Sequence, residues 1–186
     1  KNNEFQKEEN ILDIKDLSYL SIFQNINITL KKGEILGLSG LLGSGANEIL
    51  RCLFGIIQEN NGKILFNNNK IKIKNPQMAV NMGIGYIPAD RKNEGLIQEN
   101  SVKDNSILAI FNQLTKFNFF SSKKASSTTE EYINKLDIRV TDINTYVMNL
   151  SGGNQQKVVI AKWLAKKCKV LLFDEPTRGI DVAAKA

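Results

Sequence analysis

Histidine is absent from the 186 residues, and cysteine occurs only twice, as Cys52 and Cys168. The pair forms no CxxC, and without histidine no mixed Cys/His zinc site can form. Both are therefore expected to be free, reduced thiols of a cytosolic protein. Apolar runs are short. None approaches the roughly 20 residues that cross a bilayer, so the chain is not itself a membrane span. The first residues, Lys1-Asn2-Asn3-Glu4-Phe5, lack the apolar stretch of a secretory signal. A starting methionine is also missing, and the expectation is a piece of a longer polypeptide. There are no internal repeats and no collagen-like or prion-like tracts.

What is present argues for an ordinary folded core. Hydrophobic residues make up 42% and charged residues 24%, which excludes wholesale disorder. The length suits one domain, or two small ones. The net charge is +6, but only four of the 25 basic residues are Arg (51, 91, 139 and 178). Lys, Asn and Ile are spread evenly along the chain, which reads as the mark of an AT-rich genome rather than a binding patch. Nucleic-acid binding is not expected.

Periodicity places the elements. Ile11, Ile14 and Leu17 alternate with one slip, and Ile26, Ile28 and Leu30 alternate cleanly, so both segments predict strands with one covered face. Lys31-Lys32-Gly33 is a turn. Glu34 to Ser39 is nearly all apolar and predicts a strand buried on both faces. A glycine loop, Gly40 to Gly45, leads into a helical pattern (Ile49, Leu50, Leu53, Phe54) closed by Gly55. Gly62–Phe66 and Ile71–Ile73 predict two short strands around Asn67-Asn68-Asn69. Pro76 to Met82 predicts one or two helical turns stopped by Gly83, and Ile84–Ile87 a buried strand ended by Pro88. Helical spacing follows in Val102–Phe111 and Tyr132–Leu136. Between them Ser121–Thr129 reads as a solvated loop, with an N-cap signal at Ser127-Thr128-Thr129-Glu130. A helix from about Asn154 to Lys167 and a strand Val170–Phe173 complete an alternating α/β pattern, and Asp181–Ala184 opens a further helix.

Three motifs carry chemistry. A phosphate-binding loop needs Gly, four residues, Gly, Lys and then Ser or Thr, between a strand and a helix. Its amides wrap anionic oxygens, and the helix N-terminus adds partial positive charge. Here Gly40, Gly43, Ser44 and Gly45 keep the frame, but Ala46 stands at the Lys position and Asn47 at the hydroxyl position. The phosphate cation and a Mg²⁺ ligand are thereby lost. An ordinary strand-to-helix turn fits this loop equally well. Second, Val170-Leu171-Leu172-Phe173 runs into Asp174-Glu175-Pro176. This resembles a Walker B strand, with Asp174 toward Mg²⁺ and Glu175 toward the attacking water; the bland alternative is a strand ending in a solvated acidic turn. Third, Leu150-Ser151-Gly152-Gly153-Asn154-Gln155-Gln156-Lys157 opens a helix, with Ser151 able to cap and two glycines leaving amides open.

That third segment resembles the signature motif of ABC ATPases. The fold it implies is α/β, a P-loop NTPase core of ABC type with a mixed sheet and a small inserted helical subdomain. More narrowly, the chain is similar to the second (C-terminal) nucleotide-binding half of the double-length ATPases of bacterial ribose-, galactose- and xylose-type importers. Ile35–Gly40 with Gly43–Glu48, Gly85-Tyr86-Ile87-Pro88-Ala89-Asp90-Arg91-Lys92-Asn93-Glu94-Gly95-Leu96, Leu150–Lys157 and Asp174–Val182 carry that likeness. It implies three parts: core residues 1–95, a helical subdomain 96–150, and 151–186 with signature, Walker B and D-loop.

The resemblance also implies a division of labour. ATP and Mg²⁺ are the cofactors. A second nucleotide-binding half, in the same polypeptide or a homologous chain, faces this one. Ser151, Gly152, Gly153, Asn154, Gln155 and Asp181 then complete the partner's ATP site, while the loop Gly40–Asn47 is degenerate. Glu175 keeps its geometry with little turnover, and Asp174 is the metal-side residue. Ala89 stands where the family has Glu or Gln. Tyr19 and Phe23 are the nearest candidates to stack on adenine, and the family's switch histidine would lie beyond residue 186. Transmembrane permease subunits are the direct partners, a periplasmic or surface substrate-binding protein an indirect one, and the location is cytoplasmic, peripheral on the inner face of the membrane. The bulky stretch Phe117-Asn118-Phe119-Phe120 either docks on the permease or, the reading favoured here, closes the small helical core. A soluble ABC ATPase acting on ribosomes or nucleic acid, and an importer of nucleosides or another small solute, are the rivals. The short spacing from Gly40 to Ser151 leaves no room for the long coiled coil of repair-type ATPases.

Overall fold

The computed structural model describes residues 9–41, 43–116 and 119–179, with Lys116 described by its backbone only. It divides into two compact units, Lys1–Met82 and Gly83–Ala186. The predicted helix at Asp181–Ala184 lies outside the described residues.

The first unit is built on an antiparallel sheet in the order β2-β1-β3-β4. Strand β1 (Asn10–Tyr19) pairs with β2 (Phe23–Lys31) in the register Ile14↔Ile28 and Leu17↔Ile26. The slip in the β1 alternation has a physical cause. The register shifts between Ile14 and Leu17, and Asp16 there has φ +51°. Such a bulge inserts one residue and returns the next apolar side chain to the same face. Leu12, Ile14 and Leu17 are all buried.

Strand β3 (Asn61–Phe66) lies on the other side of β1 and turns into β4 (Asn69–Ile71). Asn67 and Asn68 both take positive φ, as a two-residue hairpin turn requires. The second strand thus starts at Asn69, two residues before the expected start, because the turn uses only two of the three asparagines. Helix α1 (Ala46–Phe54) buries Ile49, Cys52, Leu53 and Phe54 and ends at Gly55 as the periodicity predicts; it packs on α2 (Pro76–Met82).

One expectation fails. Glu34 to Gly40 forms no strand, and Ile35, Leu36 and Leu38 are 99%, 43% and 38% exposed. A continuous apolar run marks a segment suited to burial on both faces. That burial must come from flanking strands, and no ladder pairs this segment among the described residues.

The second unit holds a parallel pair, β5 (Ile84–Ile87) and β8 (Val170–Phe173), in the register Ile84↔Val170 through Ile87↔Phe173. Helix α6 (Gly152–Lys166) lies on it and buries Val158, Val159, Ala161 and Trp163. The approach is close at Gly85. A Cβ there would stand 2.9 Å from Leu171 and 3.0 Å from the Trp163 ring, so only glycine fits. After a π-helical turn, Arg91–Gly95, come α3 (Val102–Ile107), a 3₁₀ turn and the short α4 (Phe111–Leu114). Asn105 is buried and pins the preceding loop, accepting from Ile97 N (2.8 Å) and donating to the Ile97 and Ser101 carbonyls (both 3.0 Å).

The stretch expected to be a loop at Ser121–Thr129 is instead the first half of helix α5 (Ser122–Leu136). Ser121, not Ser127, is the N-cap, its side chain accepting from Lys124 N. The buried face falls on Ala125, Thr129 and Tyr132, at i, i+4 and i+7. Thr129 hides that face from a hydropathy reading, yet its hydroxyl donates to Ala125 O at 2.9 Å and is buried without loss. Ahead of α5, β6 (Thr115–Lys116) and β7 (Phe119–Phe120) form a small hairpin. Phe119 and Phe120 do not close the helical core: they are 81% and 41% exposed, and Phe120 stacks on the half-exposed Phe111 ring at 5.2 Å. The core beside them is made by Ile107, Ile110, Leu114 and Ala125, which already fill it. Phe117 and Asn118 lie outside the described residues.

Candidate functional site

The expected site residues fall in both units. In the first, Gly43 and Gly45 take φ +81° and +90°, conformations that turn the backbone sharply ahead of α1. A Cβ on Gly40 would collide with the Ser44 side chain. The Ser44 amide donates to Leu41 O (2.9 Å), closing a tight turn. Gly45 is the N-cap residue and has no side-chain cap, so Ala46 and Asn47 open α1 with no side chain taken up by the first-turn amides. Such a helix start favours an anion. It offers no cation of its own, and Glu48 adds a carboxylate to the first turn. Of the two aromatics considered for adenine, Phe23 is buried against Gly45 and Tyr19 stands 6.1 Å from the Phe23 ring.

In the second unit the helix start at Ser151 carries a side-chain cap. The Ser151 Oγ accepts from Asn154 N (3.4 Å) and Asn154 Nδ2 (3.0 Å). Asn154 Oδ1 in turn accepts from Arg139 N at 2.9 Å. Gln155 is buried and donates to Val147 O at 3.0 Å. These two side chains are thus engaged within the protein, while Gly152 and Gly153 carry nothing that covers the helix start. A cavity of about 300 Å³ opens here, lined by Arg91, Lys92, Ser151, Gly152, Gly153 and Gly179 among others.

Strand β8 delivers Asp174, whose amide donates to Ile87 O across the parallel pair at 2.9 Å. The carboxylate is 3% exposed. Its Oδ2 accepts from the Tyr86 hydroxyl at 2.7 Å, and its Oδ1 is buried with no partner among the described residues. A buried unpaired carboxylate oxygen is costly. As a single oxygen it suits the water of a hydrated cation such as Mg²⁺ rather than a closed set of protein ligands. Glu175 follows with φ +43° and faces Arg178 at 3.5 Å. Both are substantially exposed, so that ion pair contributes at most about 1 kcal/mol. Asp181 lies outside the described residues.

Three participants were not singled out by sequence. Tyr86 lies inside an apolar strand, where its hydroxyl carries no periodic signal. Arg91 belongs to a quoted segment but received no role. Its Nη1 and Nη2 donate to the carbonyls of Arg178 (2.7 Å) and Gly179 (2.9 Å). Lys162, in the middle of α6, is 7% exposed and donates to Gly95 O at 2.7 Å. Burial pulls its pKa down to about 8. Burial first, with nearby carboxylates second, pushes the Cys52 thiol up to about 12, and burial pushes Cys168 up to about 11, so neither is a nucleophile at neutral pH. No cluster of potential metal ligands occurs among the described residues, and no described helix is long and apolar enough to cross a membrane.

A glycine loop before a helix in the first unit, and a carboxylate-ended parallel strand and serine-capped glycine helix start in the second, are each features of the ATP-binding cassette. The backbone agrees with solved examples. A nucleotide-free ATP-binding cassette from an ABC transporter superposes with a TM-score of 0.77 at 20% identity, covering 95% of this chain and 73% of that one. CbiO1 from Clostridium perfringens, part of the transporter complex cbiONQ, gives 0.71 at 24% identity over 95% and 70%. The family model for ABC transporters matches residues 23–178, and the chain belongs to that family. It is 45% identical to the ribose import ATP-binding protein RbsA of Streptococcus agalactiae serotype III, over 88% of this chain and 33% of that protein. Against RbsA of Halalkalibacterium halodurans it is 41% identical over 94% and 35%. The chain thus spans about a third of the length of these relatives.

Proposed function

We propose that the chain is the degenerate nucleotide-binding half of an importer ATPase, similar to the second half of the double-length sugar importers, and that it serves its partner's ATP more than its own. One observation carries this reading. The helix start at Ser151 is capped, glycine-lined and open on a cavity, while the loop at Gly40 offers an uncapped helix start with Ala46 and Asn47 where a phosphate loop carries Lys and Ser or Thr. Backbone amides alone hold a phosphate weakly, because a charged partner roughly doubles a hydrogen bond. Ser151, Gly152 and Gly153 therefore contribute to a site on a second half, and Asp181 is assigned to the same role by its sequence motif. The monosaccharide class of the cargo is supported by the similarity to the ribose import ATP-binding proteins RbsA. Permease subunits and a substrate-binding protein complete the assembly, with the chain peripheral on the cytoplasmic face.

Within its own half, Asp174 Oδ1 is the oxygen available to Mg²⁺, and Tyr86 orients the carboxylate by occupying Oδ2. The bound cation would neutralise charge on the phosphate oxygens. Glu175 retains the position of a catalytic carboxylate but serves the lysine-less loop, so its turnover is low. Residues 1–95, 96–150 and 151–186 are the functional parts under this reading. The test is Ser151→Arg in the full-length protein. It fills the helix start with a bulky cation and should abolish ATP turnover; unchanged turnover would remove the trans role.

A further inference from the structure

Arg91 is 7% exposed, which is unusual for a guanidinium. Both terminal nitrogens are spent on backbone carbonyls of one turn, Arg178 O and Gly179 O. The same nitrogens lie against the start of α6. A Cβ on Gly152 would stand 2.6 Å from Arg91 Nη2 and 3.0 Å from Gly179 O, and one on Gly179 would stand 3.3 Å from Arg91 Nη1. A single side chain is thus wedged between two glycines, one from the Ser151 helix start and one from the turn after Asp174-Glu175.

The electrostatics of this placement are informative. A helix N-terminus repels a cation, so nothing in α6 itself draws the guanidinium there. The two carbonyls offset that repulsion, and the planar fork of arginine meets both at once. The loop that carries Arg91 is anchored at its other end too. Lys162 of α6 donates to Gly95 O at 2.7 Å, so the π-helical turn Arg91–Gly95 is tied to α6 at its Gly95 end and to the Arg178–Gly179 turn at its Arg91 end.

We infer that Arg91 is a positioning residue that clamps the Ser151–Gly153 helix start to the Arg178–Gly179 turn, so that the two segments move as one piece with the Ala89–Gly95 loop. This deepens the proposed function and rests on it: these are the segments offered to a partner half's ATP, and the clamp sets the gap between them. Ala89 gives the start of this loop no polar side chain, and Arg91 gives the loop its mechanical connection to both segments.

The experiment uses the full-length protein carrying Arg91→Lys, and separately Gly152→Ala. Lysine keeps the charge but not the fork, so one carbonyl loses its donor. The added methyl of Gly152→Ala forces the guanidinium off Gly179 while leaving Arg91 in place. Backbone hydrogen exchange is followed by mass spectrometry, alongside steady-state ATP hydrolysis. Both variants should speed exchange about tenfold in peptides covering 150–156 and 175–179, with α3 and α5 unchanged. In Arg91→Lys, kcat should fall about tenfold while KM for ATP stays within about twofold. Unchanged exchange in both peptides overturns the clamp. So does exchange that rises equally in α3 and α5, which marks a general stability role. Local loosening with unchanged turnover upholds the clamp and instead removes the trans role of Ser151–Gly153.

Discussion

Two glycine-rich turns open two helices in this chain, and they are built to different standards. At Gly40–Asn47 the turn geometry is complete, but no side chain caps α1 and no cation stands at the Ala46 position. At Ser151–Gly153 the cap is a serine, its neighbour Asn154 is locked by Arg139, and a buried arginine braces the helix from outside. Glycines supply exposed amides in both. The side chains around them decide whether those amides are held in place and whether charge helps them. The turn at Gly40–Asn47 takes its shape from the positive φ of Gly43 and Gly45, which needs no lysine at position 46.

The comparison can be broken or sharpened by substitution. The largest effect is expected from Ser151→Arg, which should cut ATP turnover of the full-length protein more than a hundredfold, read by phosphate release. Next, Lys162 gives a pH signature. Its folded pKa, about 8, lies below the usual 10.5, so the unfolded chain binds more protons between those values. The Lys162 contribution to stability should therefore rise with pH through that window, by up to about 3 kcal/mol, while the Cys52 and Cys168 thiols, raised by burial, pull the opposite way above about pH 9; the difference between the parent and Lys162→Met in denaturant melts isolates it. Third, Tyr86→Phe leaves Asp174 with a second unpaired oxygen and should lower stability by about 2 kcal/mol, measured by chemical denaturation. Fourth, Ala46→Lys with Asn47→Ser restores charge and hydroxyl to the weaker turn. Nucleotide affinity should rise about tenfold while transport changes less than twofold, read by nucleotide titration and solute uptake. The smallest effect is that of Glu175→Gln, expected to change turnover less than twofold; a near-complete block would show that the lysine-less half hydrolyses after all.

Much of this was legible in the chain. Alternation located β1 and β2, and even the slip between Ile14 and Leu17 corresponds to a bulge at Asp16. Helices α1, α2 and α6 and strands β5 and β8 follow their apolar spacing and glycine stops closely, because each has a face whose burial pattern is local in sequence. The first half of α5 was hidden because its buried face includes Thr129, whose hydroxyl is satisfied by its own helix. Glu34–Gly40 misled in the opposite sense. Its apolar run is real, yet a strand exists only where another strand accepts its hydrogen bonds.

At the candidate site the motif residues announced themselves by type and spacing, since phosphate chemistry demands glycines, carboxylates and a capped helix start in a fixed order along the chain. The loss of cation at Ala46 and Asn47 was equally plain there, because a missing charge needs no fold to be noticed. The tertiary structure alone decided which side chains hold these motifs in place. Tyr86 reaches Asp174, 88 positions away, and Arg91 reaches Gly179 across the same separation. Such contacts leave no periodic trace, because they are set by the register of β5 on β8 and by the packing of α6 over both, not by any neighbour in sequence.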